Sequence, residues 1–343
     1  MFELEVSASK TYKITIEKGF SLFSERVLPY LVGRNVAIIT DDIVDKLFGG
    51  ILDGFLENKR VVKIVLKHGE KSKNAKNYLH IINALAENDF TREDSVIAFG
   101  GGVIGDIAGF AASTYMRGIT LVAVPTTLLS MVDSSVGGKT AIDLKAGKNL
   151  CGTFYQPSAV YINTEFLKSL PKKEIKNGLG EVVKYAFLSD TVKKSDIKNI
   201  DENLIYKCLK IKRDIVNEDE KESGVRALLN LGHTVGHAIE KLSGYKLSHG
   251  ACVVKGLRYS IEVSKRLFDL DGKTVNKMYA LLKYAKCDLS VNFSVDEIAE
   301  QIIADKKRQG DSVKFVAIKD VGKPEIVKIH LSKLKEMLND YES

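Results

Sequence analysis

The sequence lacks most of the features that would place it outside the ordinary soluble enzymes. No apolar run reaches the roughly 20 residues needed to span a bilayer. The opening MFELEVSASKTYKI has neither a basic-then-apolar leader nor an Arg- and Ser-rich transit character, so export is not expected and a cytoplasmic location is. Only four cysteines occur, Cys151, Cys208, Cys252 and Cys287, far apart and without a C-x-x-C pair. That argues against a disulfide framework or zinc ribbon and suits a reducing compartment. There is no internal repeat and no low-complexity linker. A block of one charge sign is also missing: the net charge of +7 comes from Lys and Arg interleaved with Asp and Glu. Neither nucleic acid nor membrane is an expected partner, and the cations are better read as a solvated surface plus a few gathered around an anionic ligand such as phosphate.

What is present is a globular composition, 45% hydrophobic and 28% charged, over 343 residues. That length exceeds what one core usually serves, which favours two domains. In the first half, short β-branched runs alternate with helical periodicity: Val36 to Thr40, Val61 to Leu66, Ser95 to Phe99 and Thr120 to Val124, with a helical stretch at Asn74 to Glu87. Alternation of this kind predicts an α/β domain over residues 1–170 with a mostly parallel sheet, whose ligands bind beyond the carboxyl ends of the strands. From Pro171 onward, amphipathic stretches at Asp201 to Val216, Leu228 to Leu242, Val253 to Leu267 and Val295 to Lys307 predict a mainly helical domain over 171–343. A small hairpin is expected within Val313 to Ile329.

Directly after the SVIAF run comes Gly100-Gly101-Gly102-Val103-Ile104-Gly105-Asp106. Gly100, Gly102 and Gly105 satisfy G-x-G-x-x-G between a strand and a helix, where backbone can approach a pyrophosphate at the helix N-terminus. The loop follows a later strand rather than the first, and the next run ends in VPTT rather than an acidic residue. A ribose contact would then come from other strand ends, from Asp41 or from Glu70 with Lys73.

His233 and His237 stand at i and i+4, the spacing by which one helix face offers a metal two nitrogens. His249 follows twelve residues later, and Glu181 supplies a carboxylate upstream. Cations cluster in the same segments: Arg117, Lys139, Lys148 beside Asn149, Lys184, Lys212, and Arg226 before Asn230. Their small, apolar neighbours suggest that several converge on an anion.

The stretches GGGVIGDIAGFAASTYMRG, VPTTLLSMVDSSVGGKTAID, GKNLCGTFYQP, GLGEVVKYA and LLNLGHTVGHAIE, in this order, resemble the 3-dehydroquinate synthase family over most of the chain. The resemblance implies an NAD-binding α/β domain, a helical metal-binding domain, a divalent metal (zinc or cobalt) and a homodimer. It also implies the reaction: 3-deoxy-D-arabino-heptulosonate 7-phosphate becomes 3-dehydroquinate with release of phosphate, a step of the shikimate route to aromatic amino acids. The implied metal ligands are Glu181, His233 and His249, so that His237 sits beside the metal and serves phosphate handling and proton transfer. Arg117, Lys139, Asn149, Lys184, Lys212, Glu222, Arg226, Asn230 and one of Lys306 or Lys307 would grip the substrate, with Asp133 between nicotinamide and substrate. For NAD the implied contacts are Asp41, Glu70, Lys73, the loop Gly102, Val103, Ile104, Gly105 and Asp106, then Thr126, Thr127, Lys139, Lys148, and Phe166, Leu167, Lys168 and Ser169.

The mixture of parts makes chemical sense. Oxidising a ring hydroxyl to a ketone acidifies the neighbouring C–H, a Lewis-acid metal assists, and the hydride returns after phosphate leaves, so no net oxidation occurs. Ring opening and an intramolecular aldol closure complete the product. One position departs from the family: an acidic residue usually follows the His-Gly of the third ligand, whereas here Ala251 follows His249-Gly250. Losing a carboxylate that supports a ligand would weaken or retune the metal. Related cyclases act on sedoheptulose 7-phosphate or glucose 6-phosphate; the set Arg117, Asn149, Lys212, Arg226 and Asn230 favours the carboxylate-bearing substrate. A polyol dehydrogenase, which would release NADH, and an idle NAD-binding scaffold are the more distant readings.

Overall fold

The computed structural model describes residues 1–306 and 310–339. The chain divides into two compact units, one of Met1–Leu170 with Asp201–Glu220, the other of Pro171–Ile200 with Lys221–Ser343.

In the first unit the chain runs β1 (Phe2–Ser7), β2 (Thr11–Glu17), α1 (Phe23–Val27), β3 (Asn35–Asp41), α2 (Asp42–Phe48), β4 (Arg60–Leu66), α3 (Ala75–Glu87), β5 (Ser95–Gly100), α4 (Gly102–Thr114), β6 (Thr120–Pro125), β7 (Lys139–Leu144), β8 (Gly147–Phe154) and β9 (Ala159–Asn163). One seven-stranded sheet has the order β1-β2-β9-β6-β5-β3-β4 and is parallel except at β1. The strands that the β-branched runs predict are all present, one residue longer at each end of β3 (Thr40 pairs with Phe99). Both β3 and β5 are buried along their length, as strands covered on both faces must be. Asn74 caps α3 through its side chain, accepting from the Asn77 N–H at 2.9 Å. The hairpin β7–β8 has no strand signature in the sequence, because β8 is largely exposed and carries two glycines.

The chain leaves β3 for its neighbour β4 on one side and then returns to β5 on the other. That reversal opens a crevice beyond the carboxyl ends of β3 and β5, the usual ligand position in such sheets.

The second unit begins with α5 (Lys172–Leu188) and α6 (Lys194–Ile197). The chain then goes back to the first unit for α7 (Glu202–Glu218), a helix expected to belong to residues 171–343. The physical reason is the helix's apolar stripe: Leu204, Ile205, Cys208, Leu209 and Val216 are buried. Tyr206 stacks on Phe2 of β1 at 4.8 Å between ring centroids, and Asn217 accepts from the Ser7 N–H at 2.8 Å. A boundary read from a change of periodicity alone misses such a return.

The rest of the second unit comprises α8 (His233–Leu242), α9 (His249–Phe268), α10 (Gly272–Leu282), α11 (Val295–Lys306), the antiparallel hairpin β10 (Ser312–Asp320) and β11 (Lys323–His330), and α12 (Leu331–Asn339). Its core joins Val235, Ile239, Cys252, Tyr259, Ile298 and Phe315. The expected helix over Leu228 to Leu242 is broken: Val225–Asn230 forms a 3-10 turn, and Gly232, with φ +78°, resets the chain so that α8 starts at His233. Among the described residues no helix is long and apolar enough to cross a membrane.

Candidate functional site

In the first unit, the residues expected to meet a dinucleotide lie just beyond the ends of neighbouring strands. Asp41 closes β3, Glu70 and Lys73 follow β4, Gly101 joins β5 to α4, Thr126 and Thr127 follow β6, and Phe166 to Ser169 follow β9. Tertiary contacts tie several together. Thr126 N–H donates to Gly100 O at 3.0 Å, and a Cβ at Gly101 would press on the Thr127 methyl at 3.0 Å. At Gly105 a Cβ would meet nothing within 4 Å, so the helix start keeps an open cradle. Gly100 to Gly102, Gly105, Asp106, Lys139 and Thr140 line a small cleft that is open to solvent. Asp41 is also the N-cap of α2, accepting from Ile43 and Val44 N–H groups at 3.0 Å through one oxygen. Phe166 is buried against Phe48 and Phe99 and anchors its turn, while Lys168 is exposed and pairs with Glu165.

Lys73, only 4% exposed, donates to Asp106 Oδ2 at 2.7 Å and to Asn149 Oδ1. Burial would lower its pKa, but Asp106, Glu70 and Asp143 outweigh that and raise it, so the ammonium is firmly charged. Burial pushes the Asp106 carboxyl up, with Lys73 opposing. Lys148 stands 3.9 Å from Glu70. In the π-helical turn Ser130–Ser134, Asp133 holds the buried Lys212 of α7, whose ammonium donates to Asp133 O at 2.6 Å and lies 3.2 Å from Oδ2. Lys139 opens β7 and is exposed. Arg117, between α4 and β6, is exposed and has no ion pair among the described residues. Arg117 and Asn149 hold left-handed backbone, φ +66° and +57°, a state that costs roughly 1–3 kcal/mol outside glycine and concentrates at functional positions.

In the second unit, three helices bring together Glu181 of α5, His233 of α8 and His249 of α9, with one donor atom of each within 4.8 Å of the others. Glu181 Oε1 lies 3.4 Å from His233 Nε2 and 3.0 Å from His249 Nε2. Glycines make this convergence feasible. A Cβ at Gly180 or Gly250 would drive into backbone of the facing helix, Gly250 and Asn177 respectively, so α5 and α9 touch only because both side chains are missing. Lys184, one turn after Glu181 and 1% exposed, sits 2.5 Å from Glu181 Oε2. That contact is an ion pair without hydrogen-bond alignment, and Oε2 remains a buried oxygen with no hydrogen-bond donor.

Burial would raise the Glu181 carboxyl's pKa, yet the Lys184 ammonium and the two imidazoles hold it well below the usual carboxylate range. Burial opposes charge on His249 as well, but the Glu181 and Glu240 carboxylates overcome it and push the ring up to about 10. A group of one carboxylate and two imidazoles that attracts a proton this strongly suits a divalent cation in the proton's place. Elsewhere in the second unit, Arg226 is 2% exposed, Asn230 donates to Glu222, and Glu222 has φ +61°.

Residues 63–177 match the family described as 3-dehydroquinate synthase N-terminal, and residues 178–308 that described as 3-dehydroquinate synthase C-terminal. The 3-dehydroquinate synthase of Clostridium acetobutylicum is 41% identical over 334 residues, covering 93% of this chain and 94% of the relative. The chain belongs to the 3-dehydroquinate synthase family. Among solved structures, 2-deoxy-scyllo-inosose synthase complexed with carbaglucose-6-phosphate, NAD+ and Co2+ matches with a TM-score of 0.89 and 25% identity, covering 99% of both chains. The fold is also that of 2-epi-5-epi-valiolone synthase from Streptomyces hygroscopicus with NAD+ and Zn2+ bound, at TM-score 0.85 and 22% identity over 98% of this chain and 99% of that one.

For this family member, then, the pair that spacing alone suggests, His233 with His237, falls in two different donor groups. His237 is exposed on α8, its ring 5.1 Å from that of His233, and shares a second donor group with Glu240 and His249. Cys252 is in neither group and lies in the core. Lys307 lies outside the described residues, as does the side chain of Lys306. Glu240 escapes a reading by motif, although its place three residues after His237 and seven after His233 puts it on the same helix face. Asp143, which accepts from the Asn149 N–H at 2.9 Å, carries no local signal.

Proposed function

We propose that this chain converts 3-deoxy-D-arabino-heptulosonate 7-phosphate to 3-dehydroquinate and phosphate, with NAD and a divalent metal, zinc or cobalt, as cofactors. The observation that carries the reading is the Glu181, His233 and His249 trio, in which both imidazole Nε2 atoms face the same carboxylate oxygen, Glu181 Oε1. Bound NAD supplies a reversible hydride store and the metal a Lewis acid for substrate oxygens. Glu181, His233 and His249 would hold the metal; Asp41, Glu70, Lys73, Gly102 to Asp106, Thr126, Thr127, Lys139, Lys148 and Phe166 to Ser169 would hold the dinucleotide.

The remaining residues supply charge and position. Lys184 keeps a dry ammonium next to Glu181, where a cation faces little competition from water. Asp133 fixes Lys212 by two contacts and so costs the substrate little ordering on arrival. Arg226, Asn230, Glu222, Arg117, Lys139, Asn149 and Lys307 complete the set for a carboxylate and a phosphate, groups that planar guanidinium and ammonium donors bind well. His237, exposed one turn after His233, is able to exchange a proton with substrate phosphate. The leaving phosphate can itself accept the proton lost on elimination, so positioning and charge are what these residues need to provide. A homodimer and a cytoplasmic location belong to the same proposal; sedimentation velocity tests the first.

Purified protein supplied with NAD and zinc or cobalt should release phosphate from the heptulosonate phosphate without accumulating NADH. Stoichiometric NADH would mean a dehydrogenase, and turnover of sedoheptulose 7-phosphate alone would mean a different cyclase.

A further inference from the structure

The two candidate ligand histidines are supported on their far sides by different acceptors. His233 points Nε2 at Glu181 and has Nδ1 3.1 Å from the carbonyl oxygen of Leu231. His249 points Nε2 at Glu181, and its Nδ1 lies 3.4 Å from Glu240 Oε2. A neutral imidazole can ligate only through the nitrogen that carries no proton, so whatever holds the proton on Nδ1 selects Nε2 as the donor. For His233 that holder is a fixed backbone carbonyl two residues away. For His249 it is a side chain, the Glu240 carboxylate, and Ala251 offers no carboxylate at the start of α9.

Glu240 is suited to that work. It is 7% exposed, and it stands on the face of α8 that also carries His233 and His237. Only close crossing of α8 and α9 lets it reach His249, and Gly236 permits this: a Cβ there would meet Cys252 O at 2.8 Å.

We propose that Glu240 is the positioning residue of the metal site: its carboxylate holds the Nδ1 proton of His249, so that Nε2 is presented to the metal as a basic ligand. The inference rests on the reading of Glu181, His233 and His249 as the metal ligands. It assigns to α8 a double duty, one ligand directly and the orientation of another from the next helix.

The test is metal binding, measured without substrate on the full chain by competition with a chelator, for Glu240→Gln and Glu240→Leu. Gln keeps a neutral acceptor; Leu keeps bulk and no acceptor. Removing the hydrogen-bond partner of a ligating histidine costs about 10- to 100-fold in affinity. The expected order is parent, then Gln weaker by about tenfold, then Leu weaker by up to about 100-fold. The visible absorption bands of the cobalt-loaded Gln variant should also differ from the parent's. A purely structural carboxylate would leave the cobalt bands alone. Affinities within about twofold of the parent in both variants overturn the inference, and if Leu does not fold, Gln decides by the same threshold. His233→Ala, run alongside, separates the two levels: full metal occupancy there sinks the ligand assignment itself, whereas metal loss there with unchanged Glu240 variants sinks only the role of Glu240.

Discussion

The glycine loop of the first unit and the Glu181, His233 and His249 cluster of the second use the same residue for opposite ends. At Gly105 the missing side chain leaves open space at a helix start, where a ligand can approach backbone. At Gly180 and Gly250 the missing side chains are already replaced by the backbone of a facing helix, and the space serves packing. One region is built of main chain at strand ends, the other of side chains from three helices. Tolerance to substitution should therefore differ in sign between them.

The largest effect is expected at the side-chain site. Glu181→Ala or His233→Ala should lose bound metal and slow phosphate release by on the order of 10³-fold or more, with the far-ultraviolet circular dichroism of the parent retained. Full metal occupancy in both would remove the distinction between the regions.

Next comes the same substitution made in each. Gly250→Ala forces α5 and α9 apart and should cost about 3 kcal/mol by urea unfolding, with weakened metal binding. Gly105→Ala lies inside α4 with nothing to strike, and should stabilise by up to about 1 kcal/mol, alanine being the better helix former. The cost at Gly105 should fall on NAD, with Kd raised about tenfold or more in a fluorescence titration, because the methyl group would occupy the cradle. Equal stability changes at both positions would break the comparison.

The smallest effect sharpens the contrast between carboxylates. Glu181 is held ionised by cations, whereas Asp94 in the first unit is held by hydrogen-bond donors alone. Asp94, 2% exposed, accepts from the N–H groups of Asn35 and Thr91 at 2.7 Å and from their side chains at 3.1 and 3.0 Å. Burial would raise its pKa, but these donors outweigh burial and lower it. A carboxyl depressed in the folded state stabilises fully above its unfolded pKa, about 3.9, and that stabilisation is lost as pH falls through the folded value. Asp94→Asn should therefore cost about 2 kcal/mol at about pH 7. The gap from the parent should narrow steadily below about pH 4; a gap independent of pH would show that the charge on Asp94 is immaterial.

Much of the first unit is legible in short segments of the sequence. The runs VAIIT, VVKIVL, SVIAF and TLVAV carry their strand character in β-branched residues, and a strand-Gly-helix junction is a local pattern. The hairpin β7–β8 is not legible, since its exposure removes the hydrophobic alternation that marks a strand. Nor is the return of α7 to the first unit: its stripe says that one face is buried and nothing about against what. The partner of His249 is hidden for a related reason, since Glu240 and His249 belong to different helices and only their crossing sets the distance.

Sequence by itself determined the parallel α/β half, the glycine loop after the SVIAF strand and a histidine-bearing helix, because each is written within a few turns or strands of chain. The tertiary structure decided that Glu181 and His249, rather than His237, share a donor group with His233. It also decided that Glu240 stands behind His249. Spacing reports neighbours along one helix; which side chains meet across three helices depends on how closely their backbones approach, and here glycines at the crossings set that approach.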